Sequence, residues 1–185
     1  MLEALYKETK EKMDGAMTTL DRDFNSLRTG RATTTVLDTV HVEAYGTEQP
    51  VKAIATITTP DAHTILVQPW DKNVLGAIER AILAANIGLT PNNDGKVIRL
   101  NIPPLTEETR KELVKQAHHM AEEQRVAVRN VRRHSNDHVK KLNKDKNISD
   151  DEMSVALDKI QEMTDNHIKK VDAKLADKEA ELLKV

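Results

Sequence analysis

The sequence predicts a two-domain, mainly α protein: a long antiparallel three-helix bundle, with a small α+β domain of β/α/β sandwich-like type inserted into its chain. Three observations lead there. From Leu105 to Val185 there is neither glycine nor proline, a stretch of 81 residues. Inside a helix these residues cost about 1 kcal/mol (Gly) to 3 kcal/mol (Pro), so their exclusion permits long uninterrupted helices. All six prolines instead fall between Pro50 and Pro104, and five of the six glycines between Gly30 and Gly95. Apolar stripes at helical spacing then occur on both sides of that turn-rich insert.

The first helix is expected over about Leu2–Leu27. Leu2, Leu5, Tyr6, Met13, Met17, Leu20, Phe24 and Leu27 recur mostly at gaps of three and four. The chain leaves the helix at Thr29, Gly30 and Arg31. Val40, Val42 and Ala44 then alternate with His41, Glu43 and Tyr45, which is strand periodicity, and Gly46–Thr47 reads as a turn. Val51–Thr58 and Thr64–Val67 are rich in β-branched residues, with Pro60 and Asp61 between them. Asn73–Asn86 reads as a short helix with Val74, Leu75, Ile78, Ile82 and Leu83 on one face and Gly88 as its stop. Pro91–Gly95 is expected to be a turn, and Val97–Ile102 alternates again.

Pro103 and Pro104 close the insert, because a double proline continues neither a strand ladder nor a helix interior. The expected division is 1–29 with 105–185 for the bundle and 31–103 for the insert. The two crossings, at Thr29–Gly30–Arg31 and Ile102–Pro103–Pro104–Leu105, read either as a functional hinge or as simple domain punctuation.

Thr106 is a good N-cap for the second long helix, and Glu107 and Glu108 suit its positive start. Leu113, Ala117, Met120, Ala127, Val131 and Leu142 form its stripe, running to about Asp145. A polar turn at Asn143–Asn147 follows, and Ser149-Asp150-Asp151-Glu152 is a capping-box signature for the third helix. Met153, Ala156, Ile160, Met163, Val171, Leu175 and Leu182 carry its stripe toward the C-terminus. The polar turn favours intramolecular return, hence a monomeric bundle, over a dimeric coiled coil.

Composition narrows the function. Aromatic residues are 2% of the chain: Tyr6, Phe24, Tyr45 and Trp70. Such a chain lacks the stacking platforms that single-stranded nucleic acids use. The absence of cysteine excludes disulfides and thiolate metal sites and fits a reducing cytosol. No apolar run approaches a membrane span, and the N-terminus has no signal-peptide core. Net charge is −2, so any polyanion surface must arise from uneven placement of charge.

Placement is uneven. Arg125, Arg129 and Arg132 stand at i, i+4 and i+7 with Arg133 beside them, away from Ala127 and Val131. From Arg125 to Lys146 there are eight Lys/Arg and two acids. Arginine's planar fork grips phosphate oxygens two at a time, which suits an RNA backbone. The three arginines have no acid at i±4. The same run also reads as a solvated face of a long helix. Arg28 and Arg31 either extend the patch or act as cations near a helix end.

Enzyme motifs are missing. There is no phosphate loop, dinucleotide fingerprint or nucleophile elbow. His134 and His138 at i, i+4 read as seam histidines without a third metal ligand. His118 and His119 point different ways, and Asp61 and His63 share a loop without a nucleophile. A coiled-coil scaffold without an RNA partner is the alternative to an RNA-binding protein, and an enzyme is a distant third.

Several stretches carry a resemblance. They are Leu27-Arg28-Thr29-Gly30-Arg31-Ala32, Tyr45-Gly46-Thr47, Gly88-Leu89-Thr90-Pro91-Asn92, Ile102 to Glu108, Arg125 to Arg133, and Ala176 to Leu182. Spread over nearly the whole length, they make the chain resemble the bacterial ribosome recycling factors (the ribosome-releasing factor family). The resemblance implies an L-shaped tRNA mimic and a translation factor rather than an enzyme. Such a factor binds the 70S ribosome and its 50S subunit in the cytoplasm. With elongation factor G and GTP it splits the post-termination complex; the GTP is used by that partner, and no cofactor or metal is implied. On this chain Arg28, Arg31, Arg125, Arg129, Arg132 and Arg133 would bind 23S rRNA, and the two crossings would let the inserted domain swing.

Overall fold

The computed structural model describes residues 1–184. The last residue of the expected third helix, Val185, lies outside the described part. The chain forms two compact units, one of Met1–Thr29 with the chain from Thr106, the other of Gly30–Leu105. Leu105, expected to open the bundle, packs instead against Gly30 inside the second unit.

The first unit is three long helices in mutual contact: α1 (Leu2–Ser26), α3 (Glu107–Lys144) and α4 (Asp150–Leu183). At 1.5 Å per residue the 38 residues of α3 span about 57 Å. Both expected caps form. Thr106 accepts from the Thr109 amide, and Ser149 and Glu152 close a reciprocal capping box. Asp14 meets His167 and Asp21 meets Lys174, so α1 and α4 run parallel and α3 runs against both.

The seam of α3 differs from the expected one. Leu113 and Ala117 are buried, but the line continues through Ala121, Gln124, Val128, Ser135 and Val139. Met120, Ala127, Val131 and Leu142 are only half-buried. The physical reason is that α3 packs against two helices at once. The buried arc therefore centres between two contact stripes, and it admits polar residues that an apolar search passes over.

Those polar residues are satisfied. Thr9 gives its proton to the Leu5 carbonyl at 2.7 Å, so Ser135 must be the donor in the 2.7 Å contact between the two hydroxyls. His167 is buried with Nδ1 2.7 Å from the Met163 carbonyl and Nε2 2.8 Å from Asp14. Both ring nitrogens of His167 thus have a polar partner. His134 and His138, expected in the seam, are exposed at the rim of the α1–α3 groove beside Glu8 and Lys12.

Bonds from Lys10, and then from His167, hold the Asp14 carboxyl below its ordinary pKa of 3.8. A depressed carboxylate contributes stability that is fully present above the unfolded value and lost as pH falls through the folded one. Asp14→Asn is therefore expected to cost about 1 kcal/mol at neutral pH, after discounting for the exposure of Asp14. The gap to the wild type should close as pH drops below 3.8, in melts recorded across pH.

The second unit has a hairpin, a helix and a four-stranded antiparallel sheet. The hairpin pairs β1 (His41–Ala44) with β2 (Thr47–Pro50). Tyr45 and Gly46 take φ values of 56° and 77°, the two left-handed residues that a tight hairpin turn requires. The sheet has the order β3-β4-β6-β5, with β3 Ala55–Asp61, β4 Thr64–Pro69, β5 Pro91–Asn93 and β6 Ile98–Asn101. Helix α2 (Leu75–Ala84) packs against β1 and β5, and one core joins all three layers through Val40, Val42, Ile65, Val67, Ile78, Ile82, Ile98 and Leu100.

Several local expectations are corrected here. Val51–Ala53 is a 3-10 turn, and the strand begins at Ala55. Pro60 lies within β3, and Pro91 opens β5. Both are edge strands, where a missing amide costs no ladder bond. The turn falls later, at Asp94–Lys96, where Asp94 accepts from the amides of Lys96 and Val97. Leu83 is exposed, and Asn86 at φ 48° takes the left-handed step after α2, ahead of Gly88.

Candidate nucleic-acid interface

The arginine run sits mid-way along α3, where an unbroken helix fixes each side chain's direction. Successive residues turn by 100°, so the buried arc through Gln124, Val128 and Ser135 fixes where every arginine points. Arg125 and Arg132 fall on the border of that arc, toward α4. Arg129 and Arg133 point outward, and exposed Lys140 and Lys144 continue the outward stripe.

The structure thus separates four arginines that look equivalent in sequence. Arg125 is largely covered, its side chain 19% exposed. Its Nε and Nη2 donate to Asp172 of α4 at 2.9 and 2.7 Å, and its Nη1 donates to Glu122 at 3.0 Å. Burial works to lower its pKa, the bonds to Asp172 and Glu122 prevail, and the net shift is upward. Arg125 is therefore a brace between α3 and α4, not an open phosphate ligand. No acid stands at i±4 of these arginines, as expected, but Glu122 lies three residues back from Arg125 and Asp172 arrives from another helix.

Arg129 is more open, at 43%, and donates through Nη1 to the other oxygen of Glu122 at 3.1 Å. The two guanidiniums, Arg125 first, hold the Glu122 carboxyl below its ordinary range. Arg132 makes a single bond, from Nη1 to the neutral Gln161 at 3.2 Å, and Gln161 is itself anchored to Asp165 at 2.9 Å. Arg132 keeps its full positive charge, with its remaining donors uncommitted. Arg133 is exposed and makes no ion pair or side-chain hydrogen bond among the described residues.

Arg28 and Arg31 fall on either side of the division between the two units. The Thr9–Ser135 contact sets the antiparallel register of α1 on α3, which brings Ser26, the last residue of α1, level with about residue 118 of α3. That is roughly 10 Å along the axis from Arg125 and 21 Å from Arg132 at 1.5 Å per residue, and Arg28 follows beyond the extended Leu27. Arg28 is thus not continuous with the α3 patch. Arg31 belongs to the second unit.

The unit-2 side of both crossings is tied down. Gly30 takes φ 73°, and its carbonyl accepts from His63 Nδ1 at 3.0 Å. The Ala32 amide bonds the Ala62 carbonyl, and the Ile102 amide bonds the His63 carbonyl, each at 2.8 Å. Both chain crossings are thus stapled to the single turn between β3 and β4. Nothing in the sequence around His63 singles out this role.

Among the described residues no group of three His, Cys, Asp or Glu is placed to hold a metal, and no helix is long and apolar enough to cross a membrane.

The family model described as "Ribosome recycling factor" matches residues 20–183. A relative named ribosome-recycling factor from Prochlorococcus marinus (strain NATL1A) is 52% identical over 179 residues, covering 97% of this chain and 98% of its own. One from Carboxydothermus hydrogenoformans is 51% identical over 185 residues, covering all of both. A solution structure of a ribosome recycling factor aligns over 100% of this chain and 98% of its own, with a TM-score of 0.77 at 40% identity. The Thermus thermophilus factor, described with Escherichia coli elongation factor G bound to the post-termination complex, aligns over all of both chains with a TM-score of 0.62 at 46% identity. The resemblance carried by scattered motifs thus extends along the whole chain, which belongs to the ribosome recycling factor family.

Proposed function

We infer that this chain recycles ribosomes after termination, binding the large subunit and acting with elongation factor G and GTP to split the post-termination complex. The observation that carries the reading is full-length similarity to recycling factors, one of them described on that complex with elongation factor G. Its physical counterpart is a cationic stripe on a stiff helix of about 57 Å. Its backbone hydrogen bonds are made within the helix, and its packing against α1 and α4 keeps it straight under load.

At residue level, Arg129, Arg132 and Arg133 are the phosphate ligands for 23S rRNA. Arg125 supports them by locking α3 to α4. Arg28 and Arg31 are further contacts to the same RNA. Thr29–Gly30–Arg31 and Ile102–Pro103–Pro104–Leu105 act as the hinge. The stapling of Gly30, Ala32 and Ile102 to the Ala62–His63 turn makes the inserted unit move as one body. The factor is a cytoplasmic monomer without catalysis or cofactor of its own, the GTP being consumed by its partner.

Sedimentation of post-termination ribosomes with this protein, elongation factor G and GTP tests the reading, and separated subunits are the expected result. Binding to isolated large subunits should weaken with salt, with a log–log slope of about −2 to −4 for three or four phosphate contacts. A flat salt response, or capture from lysate that survives RNase and excludes ribosomes, points instead to a protein-binding coiled coil.

A further inference from the structure

Glu122 stands at the centre of the arginine face, and the reading above gives it no role. Its two oxygens are divided between two guanidiniums, Oε2 to Arg125 at 3.0 Å and Oε1 to Arg129 at 3.1 Å. Arg125 is held from its far side by Asp172, so Asp172, Arg125, Glu122 and Arg129 form a row of alternating charge across α4 and α3. The row ends on Arg129, the one member pointing into solvent with donors to spare. Glu122 is itself open, its side chain 53% exposed. A phosphate approaching Arg129 therefore meets a carboxylate already bonded to the same guanidinium.

We propose that Glu122 is a built-in competitor for the phosphate that Arg129 grips, and that it weakens docking enough for the factor to leave the large subunit after splitting. The proposal rests on the reading of the arginine face as the rRNA contact. A guanidinium bonded to a carboxylate gains less from a phosphate than a free one, because part of its attraction is already satisfied and the carboxylate repels the newcomer. Arg132 serves as the internal comparison: its protein partner, Gln161, is neutral and sets no such competition. The two arginines thus divide the work, Arg132 supplying affinity and Arg129 an affinity moderated by its neighbour. Glu122 is a positioning residue, meeting the phosphate through Arg129 while its other oxygen holds Arg125.

The experiment measures affinity and dissociation rate on isolated large subunits for the wild type, Glu122→Gln, Arg129→Gln, the double variant and Arg132→Glu. Glutamine keeps an acceptor oxygen for one guanidinium and removes the charge, so the helix and its bonds to Arg125 are preserved in kind. Glu122→Gln is expected to bind about fivefold tighter at low salt, the size of one short-range charge interaction in water, and to dissociate more slowly. The gain should fade as salt rises and vanish in the Arg129→Gln background. Unchanged or weaker binding of Glu122→Gln, with Arg132→Glu still losing affinity, overturns the proposal while leaving the rRNA reading in place. So does a gain that persists without Arg129. Wild-type binding by Arg132→Glu sinks both together.

Discussion

Arg132→Glu is expected to abolish tight binding to the large ribosomal subunit while leaving the bundle folded. Of the α3 arginines with a bonding partner, Arg132 is the one whose charge no carboxylate offsets; its single bond runs to Gln161 at 3.2 Å. A phosphate docking there finds an undiminished cation with a free bidentate edge. The substitution removes that contact and puts a repelling charge in its place. Together these cost about 2–4 kcal/mol, or roughly thirty- to a thousandfold in affinity. The fold should tolerate the change, because the neutral Gln161 amide can donate to the new carboxylate. Gln161 also bonds Asp165, and a small loss of melting temperature is the extent of that carboxylate's effect. Pelleting with large subunits reads the affinity, and a thermal melt beside it reads the fold. Retained affinity in a folded Arg132→Glu protein removes the arginine face from the mechanism. Arg132→Lys should fall between the two, since it keeps the charge but loses the fork.

What could be read from the sequence follows from the range of each force. Helix limits depend on breakers and caps within a few residues, so Thr106, Ser149 and Glu152 were legible and α1, α3 and α4 begin within a residue of their expected positions. The core face of the insert was legible wherever alternation was clean, as at Val42 and Ala44. Proline misled where topology intervened. Pro60 and Pro91 look like turn residues, yet both sit in edge strands, and the strand order is not written in any local window. The α3 seam slipped because a helix packed on two partners buries a broad arc, and Gln124 and Ser135 belong to it despite being polar. The arginine face divides in the same way. Glu122 was in plain view at i−3 of Arg125, within ordinary reach on a helix surface. Asp172 was not, since it lies 47 residues on and meets Arg125 only once α4 has folded back. That one tertiary contact changes Arg125 from a presumed ligand into a brace.

Gly30→Val is expected to destabilise the inserted unit by about 2–4 kcal/mol and to impair recycling far more than it loosens the α3 grip on the large subunit. Gly30 takes φ 73°, a region that costs an L-residue about 1–2 kcal/mol and a β-branched one more. A Cβ there would also stand 2.9 Å from Leu105 Cγ and 3.4 Å from its Cδ1, so Leu105 must shift. Overpacking of this kind adds about 1–3 kcal/mol. The damage should spread along the staple, because the Gly30 carbonyl holds His63 Nδ1 and the neighbouring His63 carbonyl holds the Ile102 amide. Disturbing one crossing thereby loosens the other, although they are about 70 residues apart in sequence. The bundle shares none of these bonds, so a calorimetric trace should show the insert melting early and the bundle transition in place. Binding to the large subunit should fall only by the share that neighbouring Arg31 supplies, since Arg129, Arg132 and Arg133 lie on α3. Splitting with elongation factor G and GTP should slow, because a loosened base no longer makes the inserted unit move as a body. Gly30→Ala separates the contributions, keeping the backbone strain and much of the contact without the β-branch, and should give an intermediate loss. A Gly30→Val protein that melts and splits ribosomes like the wild type would show that the crossings are punctuation and that the working motion lies elsewhere.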